Sequence, residues 1–264
     1  AAIWINDTQS AARKRLNANG YTDETLDSLW ARFDDEYFLQ TDAATIAWQI
    51  EHIIQHDSDE PLVLVRDHSD SQAISATQVF VFSKDQSKLF AKLTRSLNDL
   101  GLSVYDARIH SLSNGFVADS FMVLNRQKKT IGHDPVMVDK IIETIVSNIS
   151  KQVPSSNIKA RKPHRLNKYF TEQTQVRTEV DSENRFTILS VTTSDRIGLL
   201  AHIAEALSEL DINVCSARIA TLGEKAQDIF HVTDLTGEAI TDEDALNTIV
   251  QDIYTKIETF QAEH

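Results

Sequence analysis

Cysteine is almost missing from this chain. Cys215 is the single one among 264 residues, which excludes an internal disulfide and a cysteine-ligated metal cluster. Long apolar runs are missing as well. No stretch approaches the roughly 20 residues that cross a bilayer, and the N-terminus lacks a signal-peptide pattern. Positive charge is scarce beside negative: 26 Lys and Arg against 39 Asp and Glu give a formal net charge of −13. That balance argues against broad nucleic-acid binding, which needs a basic face for phosphates. One local exception, Lys159, Arg161, Lys162, His164, Arg165 and Lys168, lies among prolines and serines and reads as a solvated linker. The expectation is a cytoplasmic globular protein with no membrane or nucleic-acid partner. Its length accommodates two domains.

What is present begins with helices. Residues 1–60 read as a helical segment, with a first helix over 7–18 stopped by Gly20. A second helix follows Thr22, carrying the stripe Leu26, Leu29, Trp30, Phe33 and Tyr37. Thr41 is the expected cap of a third, with Ile46, Ile50, Ile53 and Ile54 on one side. Three short helices make a poor core alone, so the segment is expected to dock on something else. The third helix carries His52 and His56, four apart and hence on one face, followed by Asp57. This set admits a metal-dependent phosphohydrolase reading. That chemistry needs further His and Asp ligands, and a helix face turned to solvent is the simpler reading. His133-Asp134 precedes Pro135 and reads as a loop.

The rest of the chain is a pattern written twice. Residues 62–65 read as a strand, a polar loop follows over 68–71, and a second strand spans 75–82. A helical stripe of Leu89, Phe90, Leu93, Leu97 and Leu100 ends at Gly101. Strands over 102–111 and 116–124 flank the turn signal Asn114-Gly115, and a helix follows Pro135. After a linker over 153–174 the order recurs from residue 175. Identities match as well as pattern: Asp85, Leu89, Ala91 and Leu97 with Asp195, Leu199, Ala201 and Leu207; Val104, Ala107, Arg108 and Ile109 with Val214, Ala217, Arg218 and Ile219. After one extra residue in the first hairpin, Asp119 and Phe121 match Asp228 and Phe230. Each unit is expected to be α+β, one antiparallel sheet with two helices on one face, in a ββαββα order. The units are assigned to 61–152 and 175–264.

Within the second unit, residues 187–207 join a strand to a helix. Ser194 or Asp195 can cap that helix, and Gly198 leaves room in its first turn. A helix N-terminus with free N–H groups favours a negative group such as a carboxylate.

The run Asp195-Arg196-Ile197-Gly198-Leu199-Leu200, then Asp211-Ile212-Asn213-Val214 and Ala217-Arg218-Ile219, resembles an ACT domain. The resemblance implies a ferredoxin-like regulatory module that binds an amino acid where two such domains pair, near the first strand–helix turn. Residues 30–48, 61–66 and 222–230 are similar to the C-terminal part of the bacterial bifunctional uridylyltransferase and uridylyl-removing enzymes, which modify the nitrogen-regulatory PII protein. That resemblance implies glutamine sensing and allosteric control of catalytic domains that lie outside this chain. The Gly-Ser turn with paired acidic ligands, and the dispersed His and Asp ligands of those domains, have no match here, so no catalytic residue is expected. The Mg or Mn such an enzyme needs belongs to those domains.

The expected site lies in the second unit. The backbone after Asp195, with Arg196, Ile197, Gly198, Leu199 and Leu200, receives the ligand carboxylate. Asp195 accepts from its ammonium, and Asn213, beside Val214, offers donor and acceptor to an amide. In the first unit Lys88 stands in place of Gly198 and Ser103 in place of Asn213, so Asp85 and Lys88 form a weaker counterpart. Arg108 and Arg218 are read as strand-pairing or interface residues. Besides the phosphohydrolase, the alternative is an interaction scaffold that binds no ligand.

Overall fold

In the computed structural model, residues 1–69, 75–151, 174–194, 198–222 and 225–263 are described. The linker expected over 153–174 and the residues Asp195, Arg196 and Ile197 lie outside them, except Thr174.

Four helices come first: α1 (Ala2–Ala18), α2 (Asp23–Trp30), α3 (Asp35–Gln40) and α4 (Ala43–Gln55). α1 begins five residues before the expected start. The apolar stripe read as one helix is two, because Asp34 accepts from the Tyr37 N–H and caps a new helix. Nor does Thr41 cap the next one. Asp42 does, accepting from the Thr45 N–H at 2.9 Å and the Thr45 hydroxyl at 2.7 Å.

The first unit runs β1 (Leu62–Ser69), β2 (Ser75–Lys84), α5 (Leu89–Asp99), β3 (Leu102–Ser111), β4 (Phe116–Asn125) and α6 (Pro135–Ser150). The second runs β5 (Gln175–Val180), β6 (Thr187–Ser194), α7 (Leu199–Glu209), β7 (Asn213–Leu222), β8 (Lys225–Thr233) and α8 (Glu243–Glu263). Both are ββαββα. Their sheets are antiparallel, ordered β1-β2-β4-β3 and β5-β6-β8-β7, so the extra first strand takes one sheet edge. β1 continues past Val65 through His68 and Ser69, which the sequence suggested were loop. Its polar end is held across the hairpin, where the Thr77 hydroxyl donates to Asp67 at 2.7 Å. The repeat extends to irregularities: β3 shifts register between Val104 and Asp106, and β7 between Val214 and Ser216.

Each sheet packs its two helices on one face, and the two cores are continuous. Val79, Leu93, Phe121 and Ile145 join Leu189, Ile203, Phe230 and Ile253 in a single buried cluster. The units meet along β3 and β7 and along α5 and α7. Arg95 pairs with Glu205 across that contact, and Phe90 meets Phe230 edge-on at 6.3 Å between ring centres. The first four helices cover the opposite face of the first sheet, over Phe80, Leu112 and Ala118. Arg108 serves that second contact: its guanidinium donates to the Gln40 carbonyl at 2.6 Å.

Candidate functional site

The two units meet so that each helix-start turn faces the other unit. Two cavities result, related by the repeat. The first, about 420 Å³, is walled by the turn from Asp85 to Ala91 and by Ser111 and Asp119; the second unit supplies Ser208, Asp211, Asn213 and Val214. The second, about 170 Å³, has among its described walls Gly198, Leu199, Leu200 and Asp228, with Asn98, Ser103 and Tyr105 from the first unit.

The exchange regroups the expected site. Asn213 and Val214 do not lie with Gly198. They cross the contact and join Asp85 and Lys88, while Ser103 crosses to Gly198. Gly198, Leu199 and Leu200 remain together, with Leu199 buried in the core. The space over Gly198 is already taken: a Cβ there would sit 3.2 Å from the Asn98 side-chain oxygen. Ordinary ligand pockets occupy roughly 300–1,000 Å³, a range that includes the first cavity and not the second.

Backbone geometry separates the two further. Lys88 stands at the N-cap of α5 in the left-handed region, φ 64°, and α5 has no side-chain cap. Asp211, just after α7, is also left-handed, φ 56°. Both side chains line the first cavity. Their repeat counterparts are glycines, Gly198 (φ 84°) and Gly101 (φ 74°). Left-handed backbone costs a non-glycine residue about 1 kcal/mol, and such residues gather at functional sites.

The electrostatics are those of a site short of positive charge. Asp119 is 1% exposed, on the helix-facing side of β4. Its Oδ1 has no hydrogen-bond partner, and the nearby His110 backbone N–H only partly offsets the cost of burial. Desolvation pushes its carboxyl well above the usual range, and the like charge of Asp85 adds to this. Asp85 is itself raised by desolvation. The Ser208 hydroxyl oxygen is buried against the same cavity without a partner. Gln86 fixes the turn from beneath, donating to the Ile149 carbonyl at 2.9 Å and accepting from the Lys92 ammonium at 2.6 Å. Sequence reasoning passed over Asp119, Ser208 and Asp211 as site residues. Asp119 left a signal: an acidic residue at an inward-facing position of an apolar strand, repeated as Asp228.

The histidines of α4 are used locally. His52 Nδ1 donates to the Trp48 carbonyl and His56 Nε2 to the Glu60 carbonyl, each at 2.7 Å. Among the described residues no three His, Cys, Asp or Glu side chains gather as a metal site. The described residues therefore supply no complete ligand set for the ion such a phosphohydrolase needs.

Two ββαββα units, paired with cavities at their helix-start turns, have the architecture of tandem ACT-type domains. Residues 182–260 match the family described as ACR family N-terminal ACT domain, and residues 1–52 match the uridylyltransferase GlnD fifth domain. Among curated relatives, the bifunctional uridylyltransferase/uridylyl-removing enzyme of Pseudomonas aeruginosa strain LESB58 is 34% identical over 241 residues, 91% of this chain and 27% of that enzyme. The enzyme of Pseudomonas putida strain W619 is 32% identical over 259 residues, 98% of this chain and 29% of that enzyme. The chain thus spans under a third of the relatives it matches and corresponds to their C-terminal portion. A crystal structure of an unknown protein from Galdieria sulphuraria covers 70% of this chain at 15% identity and a TM-score of 0.24, too low to carry an argument.

Proposed function

We propose that this chain is the regulatory region of a bifunctional uridylyltransferase/uridylyl-removing enzyme and senses glutamine at the contact between its two ACT units. The observation that carries this is the 420 Å³ cavity built by both units. Lys88 and the uncapped start of α5 suit a carboxylate. Asp85 and Asp119 suit an ammonium, and Asn213 and Ser208 offer partners for a side-chain amide. Glutamine combines these three groups. The first-unit cavity is therefore the main site, and Gly198 marks a lesser one.

A ligand shared by two units biases their arrangement, which is what allosteric control requires. The helical segment docks on the first sheet and relays that bias toward the catalytic portion, which acts on PII and uses Mg or Mn in the cytoplasm. Among the described residues no helix is long and apolar enough to cross a membrane.

Calorimetric titration of the chain with glutamine, with glutamate and serine as controls, tests the reading. Saturable heat specific to glutamine and weakened at least tenfold by Asn213→Ala is expected. Absence of heat with all three amino acids would leave an interaction scaffold instead.

A further inference from the structure

We propose that the first cavity binds its ligand through an ammonium group set on the Asp85–Asp119 carboxylate pair, and that binding expels a proton from this pair. The inference rests on the glutamine reading and specifies which charge on the ligand decides affinity.

Asp119 is buried, its Oδ1 has no partner, and the residue lines the cavity. No described cation pairs with either carboxylate. The Lys92 ammonium is held by Gln86, and the His110 ring is on the opposite face of the sheet, against Tyr37. Lys88 from its own turn and Asp211 from the second unit line the same cavity, and Cys215 on β7, whose thiol is raised by burial, feels the charge of Asp85. A buried carboxyl beside a second carboxyl holds its proton, as desolvation and like charge both disfavour the ionised form. Burial and the neighbouring Asp85 therefore favour the protonated form of Asp119 in the empty cavity.

An alkylammonium reverses both terms. It brings a positive charge and three N–H donors into a cavity whose open acceptor is Asp119 Oδ1. The ionised carboxylate becomes the favoured form, and the displaced proton leaves to solvent. One proton is released for each ligand bound. Affinity consequently rises with pH, by up to tenfold per unit, while the empty-state pair remains protonated. It levels off above that range. A ligand lacking the ammonium brings no positive charge to favour ionisation of the pair and gains nothing from it.

Calorimetry of the full chain in two buffers of different ionisation enthalpy, repeated at several pH values, measures the released proton. Glutamine is the probe, and glutaramate, the same molecule without the α-amino group, is the control. Expected are close to one proton released per glutamine, affinity rising with pH, and no glutaramate heat. Asp119→Asn keeps shape and removes the charge. It should weaken glutamine at least tenfold and abolish proton release, while its thermal midpoint stays level or rises because a buried acid is gone. Glutamine heat with no proton release, or with unchanged affinity in Asp119→Asn, would overturn this proposal and leave the glutamine reading standing. Equal binding of glutaramate would do the same. No glutamine heat at any pH would overturn both.

Discussion

The two units share a chain order, a sheet order and a bulge position, yet they differ on the face turned away from their helices. In β2 every residue from Ala76 to Val81 is buried, whereas β6 alternates strictly between buried and half-buried. The outward residues explain this. Phe80, Phe82, Phe116 and Ala118 stand where the second unit has Ser190, Thr192, Lys225 and Gln227. A sheet covered on both faces reads as a continuous apolar run, and one covered on a single face as an alternation. One fold has thus been given two environments by four outward positions, and the helical segment has only one sheet to sit on.

Exchanging those positions should break the difference. Phe80→Ser puts the second unit's residue under the helical segment, at a site with no exposure. It should cost about 3–5 kcal/mol, read by chemical denaturation, and expose α1–α4 to protease. The reverse change, Ser190→Phe, should move stability by no more than about 0.5 kcal/mol. Equal effects of the two would mean that the helices do not depend on this face.

This contrast also marks what the residues made legible. The ββαββα order was readable, because the strands at 62–65 and 176–180 carried their own apolar pattern and the hairpin turn its Asn-Gly signal. Docking of the first helices was readable from their small core, though not its location, since Phe80 and Phe82 look like any buried strand. The pairing of cavity walls was not readable. Asn213 follows Asp195–Gly198 in the chain, and only side-by-side packing of β3 against β7 sends it to the other turn. The split of the Leu26–Tyr37 stripe was missed because Asp34 was not weighed as a cap.

The helical contact also buries a histidine of the first unit that has no counterpart at the matching position of the second. His110, 4% exposed, lies against Tyr37 at 5.5 Å, and its Nδ1 is 3.8 Å from Asp34, too far for a hydrogen bond. Burial drives its pKa down to about 4 from 6.5, with Arg108 adding to the effect. A folded pKa below the unfolded one means that the neutral form is favoured by folding. This stabilisation is present above about pH 6.5 and is lost as pH falls toward 4, by at most about 3 kcal/mol. The matching position in the second unit is Ala220. Urea titrations from pH 7 to 4 should show the loss, and His110→Leu should flatten the profile in that window. An unchanged slope in the variant would assign the pH dependence to other groups, the carboxylates or His202 and His231, whose pKa values burial also lowers.

Beneath His110 the same contact holds a buried polar pair with no equivalent on the second sheet. The Tyr37 hydroxyl donates to Gln49 at 2.7 Å, and Gln49 donates to the Ser120 hydroxyl at 3.2 Å. In the second unit Ile229 stands in place of Ser120. Tyr37→Phe leaves the Gln49 carbonyl oxygen buried and unpaired, which should cost about 1–2 kcal/mol. Adding Gln49→Leu should recover part of that loss, because both polar partners are then gone. A double variant as unstable as the sum of the single variants would show that the hydrogen bond is not what couples them.

The smallest expected effects come from the turns, and they sharpen the comparison most. The second cavity has glycine at or beside both of its left-handed positions, Gly198 and Gly101; the first has Lys88 and Asp211. Gly198→Ala should lose about 1–2 kcal/mol, because φ is positive and the new Cβ meets Asn98. Lys88→Gly and Asp211→Gly should each gain up to about 1 kcal/mol by relieving the backbone. If evolution had arranged both turns for stability alone, glycine would serve at all four positions. Two side chains are kept in costly conformations, and both point to the larger cavity. Under the glutamine reading, the more stable Lys88→Gly protein should bind more weakly, a trade of stability against function. Thermal melts and titrations on the same samples measure both sides. A variant that is more stable and binds as well as before would show that Lys88 serves neither the fold nor the ligand.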